Sequence, residues 1–215
     1  ADVVQVNQNT VKLAVGLSGA YPEPATTIVR TLPQYTTVNV NNGATLSAPA
    51  WDPVLVTGGI IAFFANASVT IDGTLQANGA GYRGGVGDNH DPNVMQWKTP
   101  GESYPGPGMS DNANNVANGG GGGGGGKRGF CEGSGGGGGG YASGGNAGGN
   151  NVIACGSVPG GVGGLDYGDA QLSRIYLGSG GGAGGYTTMV AQGAGGAGGG
   201  MIIVFAPKIV INGSM

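Results

Sequence analysis

Apolar residues alternate with polar or small residues near the start of the chain. Every second position is apolar over one run: Val11, Leu13, Val15 and Leu17. A period of two predicts a strand with one buried face. Gly19 and the prolines after it separate this strand from the rest of the chain, so residues 1–20 are predicted to form an N-terminal arm. Such an arm pairs either within its own sheet or, as a donor strand, with the sheet of a neighbouring subunit.

Further strands are predicted where β-branched residues form runs bounded by turn residues. These runs are 26–32, 36–40, 58–65, 68–77, 201–206 and 208–215. Turn dipeptides lie beside three of them: Asn42-Gly43, Asp72-Gly73 and Asn212-Gly213. Residues 64–75 and 205–215 are similar in sequence, so we expect both to belong to one β-scaffold made of residues 21–78 plus 201–215. Only 168–177 is a candidate short helix, with Asp169 as its cap.

Most of the chain's 53 glycines lie between these two parts of the scaffold, in residues 79–200. Glycine loses more backbone entropy on ordering than any other residue, so such a tract is either a disordered linker or a specialised packed lobe. Within the glycine runs, substitutions are mostly alanine or serine, which preserves close approach of backbones; the runs are 119–126, 135–149, 156–164, 178–185 and 193–200. We therefore predict packed rods of polyglycine II, a left-handed extended helix with three residues per turn.

Buried glycines in such rods have no room for a side chain. Valine at Gly122 or at Gly196 is therefore expected to destabilise the lobe strongly, because it would push neighbouring backbones apart. The predicted fold is an all-β scaffold with an inserted bundle of polyglycine-II helices, a glycine-rich sandwich with almost no α-helix.

Three stretches resemble a known type of domain: NGATLSAPAWD (42–52), VTIDGTLQANGAGYRGG (69–85) and GGGMIIVFAPKIVINGS (198–214). They resemble the glycine-rich domain of bacterial surface proteins and phage-associated proteins. The rods are similar to the polyglycine-II sandwich of T-even-type phage tail-tip adhesins and, more distantly, to that of the snow flea antifreeze protein. The likeness covers about residues 26–215, and its adhesin branch implies receptor recognition by loops at one end of the sandwich.

Composition excludes several classes of function. Charged residues make up 9% of the chain and the net charge is −3, so there is no basic patch for nucleic acid or anionic lipid. No apolar run approaches the roughly 20 residues of a membrane helix. One histidine and no recognisable nucleophile argue against an enzyme, and no cofactor is expected. The loop Asp88-Asn89-His90-Asp91 is either a solvated turn or a site for a hard cation such as calcium.

Two further groups of residues carry hypotheses. Cys131 and Cys155 form either a disulfide or two unpaired thiols, and the composition of a secreted protein favours the disulfide. Met95, Trp97 and Tyr104 stand on a proline-rich loop, where large aromatic residues either anchor an interface or cover the rods.

These observations favour an extracellular structural or adhesive protein. The chain begins at Ala1 without methionine, as expected after removal of a signal peptide. The leading hypothesis is a homopolymeric surface filament or appendage joined through the arm. The alternatives are a phage tail-tip adhesin that binds a cell-surface receptor or glycan, and an ice-binding protein.

Overall fold

The computed structural model describes residues 3–7, 10–13, 31–86, 96–97, 99–104, 121–127, 133–153, 156–169, 171, 175–185 and 193–215. The chain divides into two compact units, Ala1–Leu32 and Pro33–Met215. No described residue is helical, including those of 168–177, which confirms the predicted all-β, almost helix-free scaffold. In the described part of the chain, no helix is long and apolar enough to cross a membrane.

The first unit contains an antiparallel hairpin of β1 (Val3–Asn7) and β2 (Thr10–Leu13). Val11 lies opposite Val6, and Leu13 lies opposite Val3. The first half of the predicted arm strand therefore pairs with residues of its own chain. Val15 and Leu17 lie outside the described residues, so pairing between subunits stays a prediction.

The second unit contains the remaining strands. They are β3 (Gln34–Val40), β4 (Thr45–Ser47), β5 (Ile60–Ile71), β6 (Thr74–Gln76), β7 (Gln96–Trp97), β8 (Gly126–Lys127), β9 (Asn151–Ile153), β10 (Gly156–Val158), β11 (Met201–Phe205) and β12 (Ile209–Ile211). The predicted strands 58–65 and 68–77 merge into β5, which continues to Ile71 before the chain turns at Asp72. Strands β4 and β7 to β10 are not among the predicted strands, and residues 26–30 of the predicted strand 26–32 lie outside the described residues.

The β-scaffold is a stack of three parallel rungs. Val69 of β5 pairs with Val38 of β3 and also with Ile209 of β12, so β3 and β12 lie on opposite edges of β5. Strand β11 also pairs in parallel with β5, and β4 pairs in parallel with β6. The repeat therefore has three copies, 37–46, 68–75 and 208–215. Its turn dipeptides, which usually signal antiparallel hairpins, form the corners of the rungs instead.

The corners stack too tightly for side chains at two glycines. A Cβ on Gly73 would lie 2.3 Å from the carbonyl oxygens of Asn41 and Ala44, and one on Gly213 would lie 1.9 Å from the carbonyl oxygen of Gly73. The side-chain amide of Asn212 donates to Asp72 Oδ1 at 2.7 Å across the same corners. Close stacking explains the glycines at two of the three corners, and the third, Gly43, instead has a positive φ of 79° that favours glycine.

Alternate side chains of β5 form the centre of the hydrophobic core. Ile61, Phe63, Ala65, Val69 and Ile71 are buried, as the period of two requires. Val40 and Leu75, from the rungs' other strands, complete this cluster. Each large side chain buried here contributes roughly 1.5–3 kcal/mol relative to exposure, so the scaffold has a conventional core.

Candidate functional site

Residues between β6 and β11 form a structure that we call the glycine bundle. It consists of eight described segments that run alongside one another: 77–86, 99–104, 121–125, 133–141, 143–150, 159–168, 177–185 and 193–200. The predicted rod 135–149 is two antiparallel segments, because Gly138 and Gly135 donate to Asn146 and Gly149 across a turn. The segments 77–86 and 99–104 were not among the predicted rods.

Segment 177–185 lies at the centre of the bundle, and every third N–H points to the same neighbour. Gly178, Gly181 and Gly184 donate to segment 193–200 at 2.8–2.9 Å. Residues 180 and 183 donate to segment 99–104, and residues 182 and 185 donate to segment 133–141. The carbonyls of the central segment accept from two further segments, 77–86 and 121–125. The central segment is therefore hydrogen-bonded to five neighbouring segments, whereas a strand in a β-sheet is bonded to two neighbours at most.

The backbones inside the bundle approach too closely for side chains. A Cβ on Gly122, which is buried, would lie 2.0 Å from the carbonyl oxygen of Gly137. Gly195 has the same relation to the carbonyl oxygen of Gly181. A Cβ on Gly196, which is exposed, would meet nothing within 4 Å. The prediction that Gly196 has no room for a side chain is therefore wrong, because this residue faces outward.

The bundle has two distinct ends. At the end away from the β-scaffold, Gly185 donates to Ser134 and Ala183 donates to Thr99. Nearer the scaffold lies an aromatic end, which we define by six side chains: Trp51, Tyr82, Tyr104, Tyr141, Tyr167 and Tyr176. Their rings form contacts with centroid separations of 4.8–5.6 Å.

The ring contacts differ in geometry. Tyr104 stacks on Tyr176 with 4.8 Å between centroids and 20° between planes. Tyr167 meets both Tyr141 and Tyr176 edge to face, and Trp51 meets Tyr82 in the same way. Edge-to-face and offset-stacked pairs add roughly 0.5–1.5 kcal/mol each beyond their buried area. The aromatic end thus supplies side-chain packing to a bundle otherwise made of backbone.

A buried carboxylate joins this end to the scaffold. Glu102 is 5% exposed, and its carboxylate accepts hydrogen bonds from Arg83 Nε at 3.1 Å and from Trp51 Nε1 at 3.2 Å. The backbone N–H of Arg83 donates to the same carboxylate at 3.2 Å. Charge-assisted bonds to a buried acceptor are the strong class, so Glu102 ties segment 99–104 to segment 77–86 and to the scaffold's Trp51.

The phenols at this end hold their protons tightly. Burial, with smaller contributions from Tyr167 and from the charge of Glu102, raises the pKa of Tyr82 to about 12. Burial also raises the pKa of Tyr167. Neither phenol therefore acts as a base or a nucleophile near neutral pH, and both remain hydrogen-bond donors.

Two open grooves lie on the second unit. One, of about 320 Å³, is lined by Tyr141, Ile175 and Tyr176 together with Gly178, Gly199, Gly200, Met201 and Ile202. The other, of about 490 Å³, lies beside β3 and is lined chiefly by Pro33, Tyr35, Leu46 and the first residues of β5. Both walls are mainly apolar, which suits binding rather than acid–base chemistry.

The structure separates two of the residues predicted to form one recognition loop. Trp97 lies in β7, opposite Gly126 of β8, whereas Tyr104 lies at the far end of segment 99–104, in the aromatic end. Met95 lies outside the described residues. Sequence reasoning did not single out Arg83, Glu102 or the other tyrosines. The available signal was that a tyrosine stands near the end of several glycine segments.

The remaining predicted sites lie outside the described residues. They are the two cysteines, Cys131 and Cys155, and the loop Asp88–Asp91. The chain on either side of the cysteines runs close together, since the side-chain amide of Asn151 donates to the carbonyl of Gly133 at 3.1 Å. The disulfide and the cation site stay predictions.

Comparison with known proteins gave no match to the chain, either among family models, among curated proteins or among solved structures.

Proposed function

We propose that the glycine bundle is a set of polyglycine-II helices and that the protein is an extracellular structural or adhesive protein. The three-residue period of hydrogen bonds around segment 177–185 carries this proposal. Polyglycine II has three residues per turn and no internal hydrogen bonds, so its N–H groups bond to neighbours in the same way. Among the described glycines of the bundle, only Gly79 has a positive φ. The negative φ that one hand of polyglycine-II helix requires is therefore open to the other glycines.

Amide hydrogen exchange tests the packed bundle. The N–H groups of Gly178, Gly181 and Gly184 are expected to exchange slowly, because each is bonded to another segment inside a packed structure. Residues of the N-terminal hairpin serve as a reference for a small two-stranded element, which is marginally stable alone. Full exchange of the three glycines within seconds would identify the tract as a linker and would remove the basis of the proposal.

A bundle of this kind suits a mechanical role. At about 3.1 Å per residue, the nine residues of segment 177–185 span about 28 Å. Each end of the central segment is bonded to several others, so the lobe projects as a rigid body rather than as a tether. Neither an enzymatic activity nor a cofactor belongs to this proposal.

We further propose that the subunits assemble into a surface filament by N-terminal strand addition, with the edge of β5 as the acceptor. The pairing of β3 with β5 begins at Phe64 of β5, whose N–H donates to the carbonyl of Pro33, and it leaves the residues of β5 before Phe64 without β3 as a partner. Successive residues of a strand direct their backbone groups to opposite neighbours, so the backbone groups of Ala62 face the same side as those of Phe64. Pro33 has no N–H to donate to the carbonyl of Ala62. No other described strand pairs with this edge.

The groove beside this edge provides an apolar surface on which a donor strand can pack. Tyr35, Leu46 and Ile60 line it and are exposed. The alternating Val11, Leu13, Val15 and Leu17 of a neighbouring subunit would supply the apolar face. A head-to-tail contact of this kind generates an open filament unless its rotation closes a ring.

Electron microscopy of purified protein tests assembly. The full chain is expected to form filaments. Deletion of residues 1–18 is expected to leave separate particles. Added arm peptide should bind to the free edge of β5 in these particles but should not restore filaments. Leu13→Glu should prevent assembly, whereas the neighbouring Lys12→Glu, on the polar side of the alternation, should not. A full chain that stays monomeric at high concentration, or filaments that form without the arm, would exclude this mechanism.

A tip adhesin is the second candidate. The observation that favours it is that two short strand pairs, β7–β8 and β9–β10, are built on the bundle's end away from the scaffold. Binding of labelled protein to bacterial surfaces or glycan arrays tests it. Binding that survives deletion of residues 1–18 and disappears in a Trp97→Ala variant would support the adhesin over the filament. Binding by neither form would exclude it.

A further inference from the structure

The stacked pair Tyr104 and Tyr176 differs from every other described aromatic contact. Its planes are 20° apart, whereas the remaining pairs lie at 62–81°. Near-parallel rings with 4.8 Å between their centroids lie face to face, which places the two phenols next to each other. We propose that Tyr104 and Tyr176 form a site for oxidative cross-linking to dityrosine.

The reaction requires a one-electron oxidant of the peroxidase class with hydrogen peroxide. Each phenol loses one electron and its hydroxyl proton, and the peroxide is reduced to two molecules of water. The two phenoxyl radicals join through one carbon–carbon bond between positions ortho to the oxygens. Each ring then transfers its displaced C–H hydrogen to oxygen, which restores both phenols. The net change is one new bond and the loss of two hydrogen atoms.

Accessibility selects this pair within the aromatic end. Tyr104 is 44% exposed, so an oxidant can reach its ring, and water is present to take the proton. Tyr82 and Tyr167 are half-buried, so an oxidant reaches their rings less readily than that of Tyr104. Ring contacts of 5.3–5.6 Å link Tyr141 to Tyr167 and Tyr167 to Tyr176, so a radical formed at either of these neighbours can pass to the stacked pair.

The cross-link would join two segments that already share a backbone bond. The N–H of Gly180 in segment 177–185 donates to the carbonyl of Glu102 in segment 99–104 at 3.0 Å; Tyr104 ends the second of these segments, and Tyr176 directly precedes the first. The covalent bond would therefore join segments that are already neighbours. The inference does not depend on whether the protein forms filaments, because both rings belong to one chain.

The test is oxidation of the full chain by a peroxidase and one equivalent of hydrogen peroxide. The expected product is a monomer lighter by two hydrogens, with the blue fluorescence of a biphenol. Trypsin should release peptides 99–127 and 175–208 as one species, and fragmentation should place the bond at Tyr104 and Tyr176. Cross-linked protein should unfold at a higher temperature than untreated protein.

Three variants make the test specific. Tyr104→Phe and Tyr176→Phe should each abolish the light monomer and its gain in unfolding temperature. Tyr35→Phe is the matched control, because Tyr35 is 49% exposed and its described ring partner is Phe63, so the product should be unchanged. Unfolding curves without oxidant establish that each variant is folded. Cross-linked dimers as the main product, or a bond that persists in Tyr104→Phe, would overturn the proposal.

Discussion

Adjacent glycines in segment 193–200 should respond to alanine with opposite signs. Gly195 points toward the central segment, and its added Cβ would lie 2.0 Å from the carbonyl oxygen of Gly181. Ordinary contact begins near 3.4 Å, so the two backbones would have to separate by about 1.4 Å. Gly196 points outward, where an added Cβ meets nothing within 4 Å. The same substitution therefore tests whether backbone contact holds the bundle together.

The magnitudes can be worked out from these contacts. Separation of the segments stretches the bonds from Gly195 to Gly85 and from Gly181 to Gly196, which are 2.8 and 2.9 Å long. Overpacking costs about 1–3 kcal/mol and a lost hydrogen bond about 1 kcal/mol, so Gly195→Ala should destabilise by about 2–4 kcal/mol. Gly196→Ala should stabilise by about 0.4–1 kcal/mol, because alanine restricts the unfolded chain at a position whose φ it accepts.

Chemical denaturation followed by tryptophan fluorescence measures both effects. Trp51 reports on the scaffold and the aromatic end together, because its indole N–H donates to Glu102. Amide exchange of Gly181 then shows whether the loss is local to the bundle. Equal destabilisation by both variants, or none by Gly195→Ala, would refute the backbone-contact explanation.

Three further outcomes are expected. Glu102→Gln should destabilise by about 1–3 kcal/mol, because the amide has one acceptor oxygen, whereas the carboxylate accepts from Arg83 on Oε2 and from Trp51 on Oε1. Arg83→Lys, measured in the same urea series, should cost less if the backbone N–H bond remains. Stability should fall as pH rises from about 10 to 12, because folded Tyr82 keeps its proton after the unfolded phenol has lost it; in Tyr82→Phe this part of the pH dependence should vanish from the unfolding curves. Cys131 and Cys155 should take up no alkylating label without reductant, and two labels in the intact mass would contradict their pairing.

Local patterns in the sequence predicted the strands but not their partners. Asp72-Gly73 and Asn212-Gly213 mark turns correctly, yet a dipeptide carries no information on whether the next strand folds back or starts a new rung. That depends on Val69 finding Val38 on one edge and Ile209 on the other, contacts distant in sequence. Two of the three copies of the repeat are similar in sequence, and the third differs because its corner, 41–44, is two residues longer.

The sequence indicated close approach of the glycine segments, but it did not indicate the aromatic end. Small residues throughout the glycine runs indicate close approach, but Gly195 and Gly196 are identical in sequence terms and differ only in direction. Likewise, the pairing of Arg83 with Glu102 depends on how segments 77–86 and 99–104 lie side by side. A chain with almost no side chains leaves few features from which the packing order of its segments can be predicted.

A core built from peptide groups also changes how folding responds to temperature. Exposure of apolar surface raises the heat capacity on unfolding, whereas exposure of polar surface lowers it. The glycine bundle buries mainly N–H, C=O and backbone carbon, so it adds far less heat capacity per residue than a conventional core such as that around Val69 and Leu75. Its stability curve should therefore be shallow, and cooling, which weakens hydrophobic cores, should leave this lobe largely unaffected.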